Sequence, residues 1–336
     1  MENNITEKIK LLEGKYAEMG QDLNSYLEGL LLSNYLTYWD YTQVETLLTL
    51  QNPKTDYPDE LIFIMYHQIT ELYFKLAIHE LDQIGNNGRH ISQNGKDEGW
   101  NAELNAMFFV ERIGRVNRYF EALTKSFEIM IEGMEKEQFL RYRMALLPAS
   151  GFQSAQYRMI EIRCTDFINL VAKEVRPQYE NKNASVEELF NHIYWNQGAT
   201  EMATGKKTLT LTQFEKKYAK KFIQMGNEQK TKNVWQKYLG LNEADRQNPK
   251  VINALKELDI NVNVNWPLMH YKSAVRYLQQ KEGDIPATGG TNWQKYLPPR
   301  FQKRIFYPQL WSKEETEDWG KRWVETNVFR MTEQKV

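Results

Sequence analysis

The 336-residue chain holds a single cysteine, Cys164, so no internal disulfide can form. A reducing compartment, the cytoplasm, is the expectation. Only ten prolines and eighteen glycines occur, and they cluster instead of recurring at short intervals. That spacing argues against a sandwich or barrel of short strands. Charge nearly cancels, with 43 Lys and Arg against 44 Asp and Glu. The balance leaves no basic footprint for nucleic acid or an anionic membrane. The longest apolar run, near Leu61 to Tyr66, is far too short to span a bilayer. The polar, mixed-charge start MENNITEKIK gives no expectation of a secretory signal. Gly-rich nucleotide loops, paired zinc cysteines and a Gly-x-Ser-x-Gly elbow are all missing, and His79-Glu80 lacks a second His four residues on. Hydrolases built on those motifs are excluded.

What is present is material for a packed interior: 41% hydrophobic residues and 13% aromatics rule out a disordered chain. Periodicity at three and four residues predicts helices throughout. The expected helices cover 5–32, 38–50, a segment from Glu60 to Ile84 capped by Asp59, then 99–125, 137–147, a helix from a Ser150-x-x-Gln153 capping box to Lys173, and Trp266 to Lys281. Residues 174–263 are more polar and read as a peripheral helical subregion with patterns at 214–222 and 234–239. Lys216-Lys217 and Lys220-Lys221 there read as solvated helix faces. The expectation is one all-α domain over 1–336, with 174–261 a subregion within it.

Five histidines exist, and two of them, His67 and His270, lie in apolar helical stripes. On the first helix the stripe runs Phe63, His67, Thr70, Phe74, Ile78, Leu81, with Phe63 one turn from His67. On the last, His270 lies with Trp266, Ala274 and Tyr277. Each imidazole is either a core group with a satisfied hydrogen bond or a group facing a cavity. A neutral imidazole on a rigid helix also suits axial haem ligation. Arg158, among small and apolar neighbours, requires an anion: either a structural carboxylate such as Glu161 or a carboxylate of a substrate. Thr288-Gly289-Gly290 is either an ordinary turn or a backbone that approaches a ligand closely.

Five blocks, in order, resemble the tryptophan 2,3-dioxygenase family. They are Tyr38-x-x-Tyr41 with Leu47-Leu48; Asp59-Glu60-x-x-Phe63-x-x-x-His67-Gln68-x-x-Glu71-Leu72; the run from Ser150 to Glu161, SGFQSAQYRMIE; Trp266-x-x-x-His270; and Thr288-Gly289-Gly290 followed by Phe306-Tyr307-Pro308-x-Leu310. The resemblance covers roughly 35–170 and 262–312. It implies an all-α haem b enzyme that is a homotetramer and opens the indole ring of L-tryptophan with O₂ to give N-formylkynurenine. By the same resemblance His270 is the proximal iron ligand, and His67 is the distal histidine that accepts a hydrogen bond from the indole N–H. Phe63 lines the indole pocket, Arg158 holds the substrate carboxylate, and Thr288 binds its carboxylate or ammonium. Tyr38 and Tyr41 match tyrosines that reach a neighbouring subunit's site.

The chain departs from the family at Ala287 before Thr288, at Thr291-Asn292-Trp293 after Gly290, at Pro286, at Met269-His270-Tyr271 and at Tyr73. All but Tyr73 touch the proximal helix or the substrate-closing loop, and they bear on loop closure and substrate choice. Two other readings stand beside the dioxygenase: a haem monooxygenase or peroxide-driven hydroxylase of another aromatic amino acid, and a haem- or tryptophan-binding protein without turnover.

Overall fold

The structure, a computed structural model, describes residues 2–179, 182–200, 206–280, 285, 287 and 293–320. Among these residues it is helical with no sheet, and only isolated antiparallel pairs such as Ile91 with Asp97 and Val171 with Ile193 occur. The all-α expectation holds. No helix among the described residues is long and apolar enough to cross a membrane.

The chain divides into two compact units, Met1–Asn52 and Pro53–Val336. In the first, the stretch expected as one helix is two, α1 (Glu2–Glu18) and α2 (Leu23–Leu32). Gly20 turns the chain between them at φ 67°, a conformation that favours glycine. Asp22 then caps α2 by accepting from the amides of Asn24 and Ser25. Two short helices follow, α3 (Tyr38–Thr42) and α4 (Val44–Leu47).

The second unit is built on α5 (Asp59–Gly85). Asp59 does not cap it, because it is already the first helical residue, after Pro58. Its carboxylate instead accepts the Glu135 amide at 2.6 Å, while Glu60 accepts the amides of Lys54 and Thr55, both at 2.7 Å. These bonds tie the helix start to two loops. Next come α6 (Ala106–Ser126), capped by Asn105, then α7 (Glu128–Ile131) and α8 (Lys136–Tyr142). Helix α6 begins later than the periodicity predicts, because Gly99–Asn101 forms its own tight turn. Phe109 is buried on this helix, and Phe108 lies under the Arg112 guanidinium.

The Ser150–Gln153 capping box forms, but it closes a single tight turn, Gly151–Gln153. Ser154 caps the helix proper, α9 (Ala155–Cys164), which stops nine residues short of Lys173. The polar region folds into α10 (Val186–Phe190), α11 (Tyr194–Gly198), α12 (Leu209–Gln229), α13 (Val234–Leu239) and α14 (Glu243–Arg246). Then α15 (Pro249–Ile260) runs through a widened turn, Asn261–Asn265, into α16 (Trp266–Leu278). In that turn the Trp266 amide reaches back five residues to the Asn261 carbonyl. It lies just before Pro267, which has no N–H to continue an ordinary ladder.

Helix α5 packs along α6 and α9, α15 packs along α6, and α16 meets α6, α7 and α8. Phe74 joins four of these helices. Its ring centroid lies 5.9 Å from Phe120 on α6, 5.5 Å from Tyr157 on α9 and 5.8 Å from Trp266 on α16. Such ring pairs contribute about 0.5–1.5 kcal/mol each beyond area burial. They fix α5, α9 and α16, the helices that carry His67, Arg158 and His270.

Candidate active site

The site begins with two imidazoles held by the same local device. His67 Nδ1 lies 2.7 Å from the Phe63 carbonyl, and His270 Nδ1 lies 3.0 Å from the Trp266 carbonyl. A carbonyl only accepts, so each Nδ1 carries the proton and each Nε2 keeps its lone pair. Burial lowers the pKa of both rings, that of His270 to about 4, so both are neutral at neutral pH. His270 is further disfavoured as a cation by His67 and Arg158, so all three side chains lie within electrostatic reach of one another. Both rings nonetheless keep part of their surface accessible. They are desolvated without being sealed against other side chains.

Aromatic rings fix the imidazole planes. Phe63 lies 4.1 Å from His67, centroid to centroid, and Tyr66 meets it edge-on at 6.3 Å. Phe127 and Trp266 both pack edge-on against His270 at 4.7 Å. Phe127 also meets Tyr66 at 5.5 Å, so one aromatic chain connects the two histidines.

The Gly151–Gln153 turn links His67 to Arg158. A Cβ added at Gly151 would stand 3.9 Å from His67 Nε2, with no other heavy atom outside the neighbouring residues within 4 Å among the described residues. The space before that nitrogen is therefore bounded by bare backbone. The next residue, Phe152, lies 5.5 Å from the Arg158 guanidinium. Gln156 Nε2 ties α9 to α5 through the Glu71 carbonyl and carboxylate, both at 2.8 Å.

Arg158 is buried, and its Nη1 donates to Glu161 Oε2 at 3.2 Å and to the Tyr194 hydroxyl. Of the two partners open to Arg158 from its sequence, the structural carboxylate is thus present. Its Nε, however, is buried without a hydrogen bond among the described residues. Half of the guanidinium fork is spent on Glu161 and Tyr194, and the other edge is left over. A second guanidinium, Arg304, reaches the far side of the same carboxylate, with Nη1 2.9 Å from Glu161 Oε1.

Phe63, His67, Arg158 and His270 therefore fall in one region of the second unit. Tyr38 and Tyr41 lie on α3 in the first unit, both largely exposed. Thr288, with Gly289 and Gly290, lies outside the described residues. Arg304 and Tyr194 did not stand out in the sequence. Tyr194 sits in the polar 174–261 stretch and Arg304 in a poorly periodic one, and the only signal was a cation two residues before Phe306-Tyr307-Pro308.

The residues fit a haem on the chemistry of the donors: a neutral imidazole with an unshared Nε2 pair on a rigid helix, within a desolvated aromatic surround. A family model described as tryptophan 2,3-dioxygenase matches residues 30–246. A tryptophan 2,3-dioxygenase of Herpetosiphon aurantiacus is 30% identical over 84% of this chain and 98% of its own length. One from Anaeromyxobacter dehalogenans is 28% identical over 82% of this chain and 94% of its own. One from a Ruegeria species is 38% identical over a shorter stretch, 38% of this chain and 40% of that protein.

Proposed function

Because the chain belongs to the tryptophan 2,3-dioxygenase family, we propose that its two histidines and the spare edge of Arg158 bind and orient L-tryptophan for oxidative opening of the indole ring. The reaction cleaves the indole C2=C3 bond with O₂ and gives N-formylkynurenine. The observation that carries this reading is the pair of Nδ1-tied imidazoles beside a buried guanidinium with an unused Nε. Haem b held through His270 Nε2 would supply the activation of O₂ that the side chains cannot.

The chain's own residues supply the rest. The bare Nε2 of His67 accepts the indole N–H, since its proton is committed to the Phe63 carbonyl. His67 thereby orients the indole, and the reading requires no proton transfer through it. Phe63 offers an apolar wall one turn away. Arg158 takes the substrate carboxylate on its Nε edge, a charge-assisted contact in a desolvated place. Thr288 binds the carboxylate or ammonium group.

We further propose a homotetramer in which Tyr38 and Tyr41 reach a neighbouring subunit's site. Leu31, Leu32, Tyr35, Tyr38 and Tyr41 are each at least 73% exposed, apolar side chains that a subunit interface would cover. On α5 a stripe of Leu61, Met65, Ile69, Leu72 and Leu76 is also exposed. The lone Cys164 is buried, with its thiol pKa pushed up by burial, which suits the cytoplasm.

Incubation of the reduced, haem-loaded protein with tryptophan and ¹⁸O₂ tests the function. The expected product carries both labelled oxygens in N-formylkynurenine. A product with one added oxygen and an intact ring, or substrate binding without oxygen uptake, would sink the reading.

A further inference from the structure

Arg158 and Arg304 lie on opposite oxygens of one buried carboxylate. Glu161 Oε2 meets Arg158 at 3.2 Å, and Oε1 meets Arg304 at 2.9 Å. The Tyr194 hydroxyl accepts from both guanidiniums and donates to Glu161 Oε1 at 2.6 Å, which uses all its capacity. Arg304 is held on every side: Nη2 donates to the Tyr157 hydroxyl at 2.7 Å, and Nε donates to the Asn263 amide oxygen. Both tyrosines are neutral, because burial raises their hydroxyl pKa values, that of Tyr157 to about 12. The contact cluster therefore holds two cations and one anion. Asp259, the next carboxylate along these contacts, is separated from Arg304 by the Asn263 amide and takes the Phe306 and Tyr307 amides.

A single buried Arg–Glu pair would be self-neutral, and a ligand carboxylate would then have to compete with Glu161 for Arg158. Buried charge left uncompensated is costly, so the surplus cation creates demand for an anion at the one guanidinium edge of this cluster that lacks a partner among the described residues. Arg304 itself has no such edge left. From this arrangement we propose that Arg304 is a positioning residue: it engages Glu161 so that the Nε edge of Arg158 stays available to a substrate carboxylate. The proposal rests on the reading that Arg158 binds that carboxylate.

Calorimetric titration of the haem-loaded protein with L-tryptophan and with tryptamine, which lacks the carboxylate, separates the two claims. The wild type should prefer tryptophan. Equal affinities would remove Arg158 from carboxylate binding and this proposal with it. Arg304→Met should raise the Kd for tryptophan about tenfold, with that for tryptamine unchanged. Discrimination that survives Arg304→Met would overturn the role of Arg304 alone. Adding Glu161→Gln to Arg304→Met removes the competitor and should restore tryptophan affinity to within about threefold of wild type. No restoration would assign Arg304 to packing and end the proposal. Should Arg304→Met fail to fold, Arg304→Lys keeps the charge and should bind tryptophan within about threefold of wild type even if it melts earlier. A tenfold loss in Arg304→Lys would equally overturn it.

Discussion

His67 and His270, on different helices, each give the Nδ1 proton to the backbone carbonyl four residues earlier, at 2.7 and 3.0 Å. The identical tether leaves two bare Nε2 atoms, yet the two side chains have different tasks and should fail differently. His270→Ala should lose haem through gel filtration, because the Nε2 ligand is gone. His67→Ala should retain haem and lose about tenfold or more in turnover, the range of a lost hydrogen bond to a reacting group. Haem-to-protein ratio and the ferrous spectrum check both. Retained haem with unchanged ligation in His270→Ala would reject the proximal assignment.

Arg158→Ala removes a buried cation from beside Glu161 as well as the contact to the substrate. Losing a charge-assisted hydrogen bond costs about 1.5–3 kcal/mol, so the Kd for tryptophan should rise about 10- to 100-fold. Glu161 keeps Arg304 and Tyr194 as partners, and the Arg304–Glu161 pair that remains is self-neutral, so the variant should fold and lose only the packing and hydrogen bonds of the guanidinium. Equilibrium binding and urea denaturation separate these effects. Unaltered tryptophan affinity in a folded variant would take Arg158 out of the site.

Much of this site was legible in the sequence, and the reason is local. The Phe63–His67 and Trp266–His270 pairs are i, i+4 contacts on single helices, which periodicity alone can place. The Ser150-x-x-Gln153 box likewise forms from neighbours in the chain. Arg304 was not legible, because its five partners come from positions 41 to 147 residues away and no spacing rule links them. Helix ends failed for similarly physical reasons. Asp59 looked like a cap, but the Glu135 amide from a distant loop claims its carboxylate. The break at Gly20 was missed because one glycine at positive φ interrupts an otherwise continuous pattern.

Gly151 offers a steric test of the same pocket. Its backbone is ordinary and, among the described residues outside its chain neighbours, a Cβ would meet only His67 Nε2, at 3.9 Å, so Gly151→Ala should fold with a melting temperature close to wild type. The added methyl would occupy the approach to the atom that receives the indole N–H. Tryptophan affinity should therefore drop several-fold, on the order of 1 kcal/mol, while haem content stays constant. Substrate titration beside thermal unfolding checks it, and an unchanged Kd would move the indole away from His67.

Asp259 gives the fold a pH dependence of unusual sign. Its carboxylate accepts the amides of Phe306 and Tyr307, the Trp311 indole N–H and the Asn263 side chain, and so clasps the 306–311 segment to the helix that leads to His270. Desolvation outweighs those four donors and raises its pKa from 3.8 to about 6. A carboxyl that holds its proton more tightly when folded stabilises the native state fully below pH 3.8 and loses that contribution as pH rises through 6. The shift corresponds to about 3 kcal/mol across that window. Asp259→Asn cannot ionise, and its amide faces donors with donors, so it should be less stable than wild type throughout. The gap between the two proteins should be widest near pH 4 and should narrow toward pH 7. Urea denaturation at intervals across that range measures the gap directly. A gap independent of pH would mean that Asp259 titrates alike folded and unfolded, and that its four donors fully offset its burial.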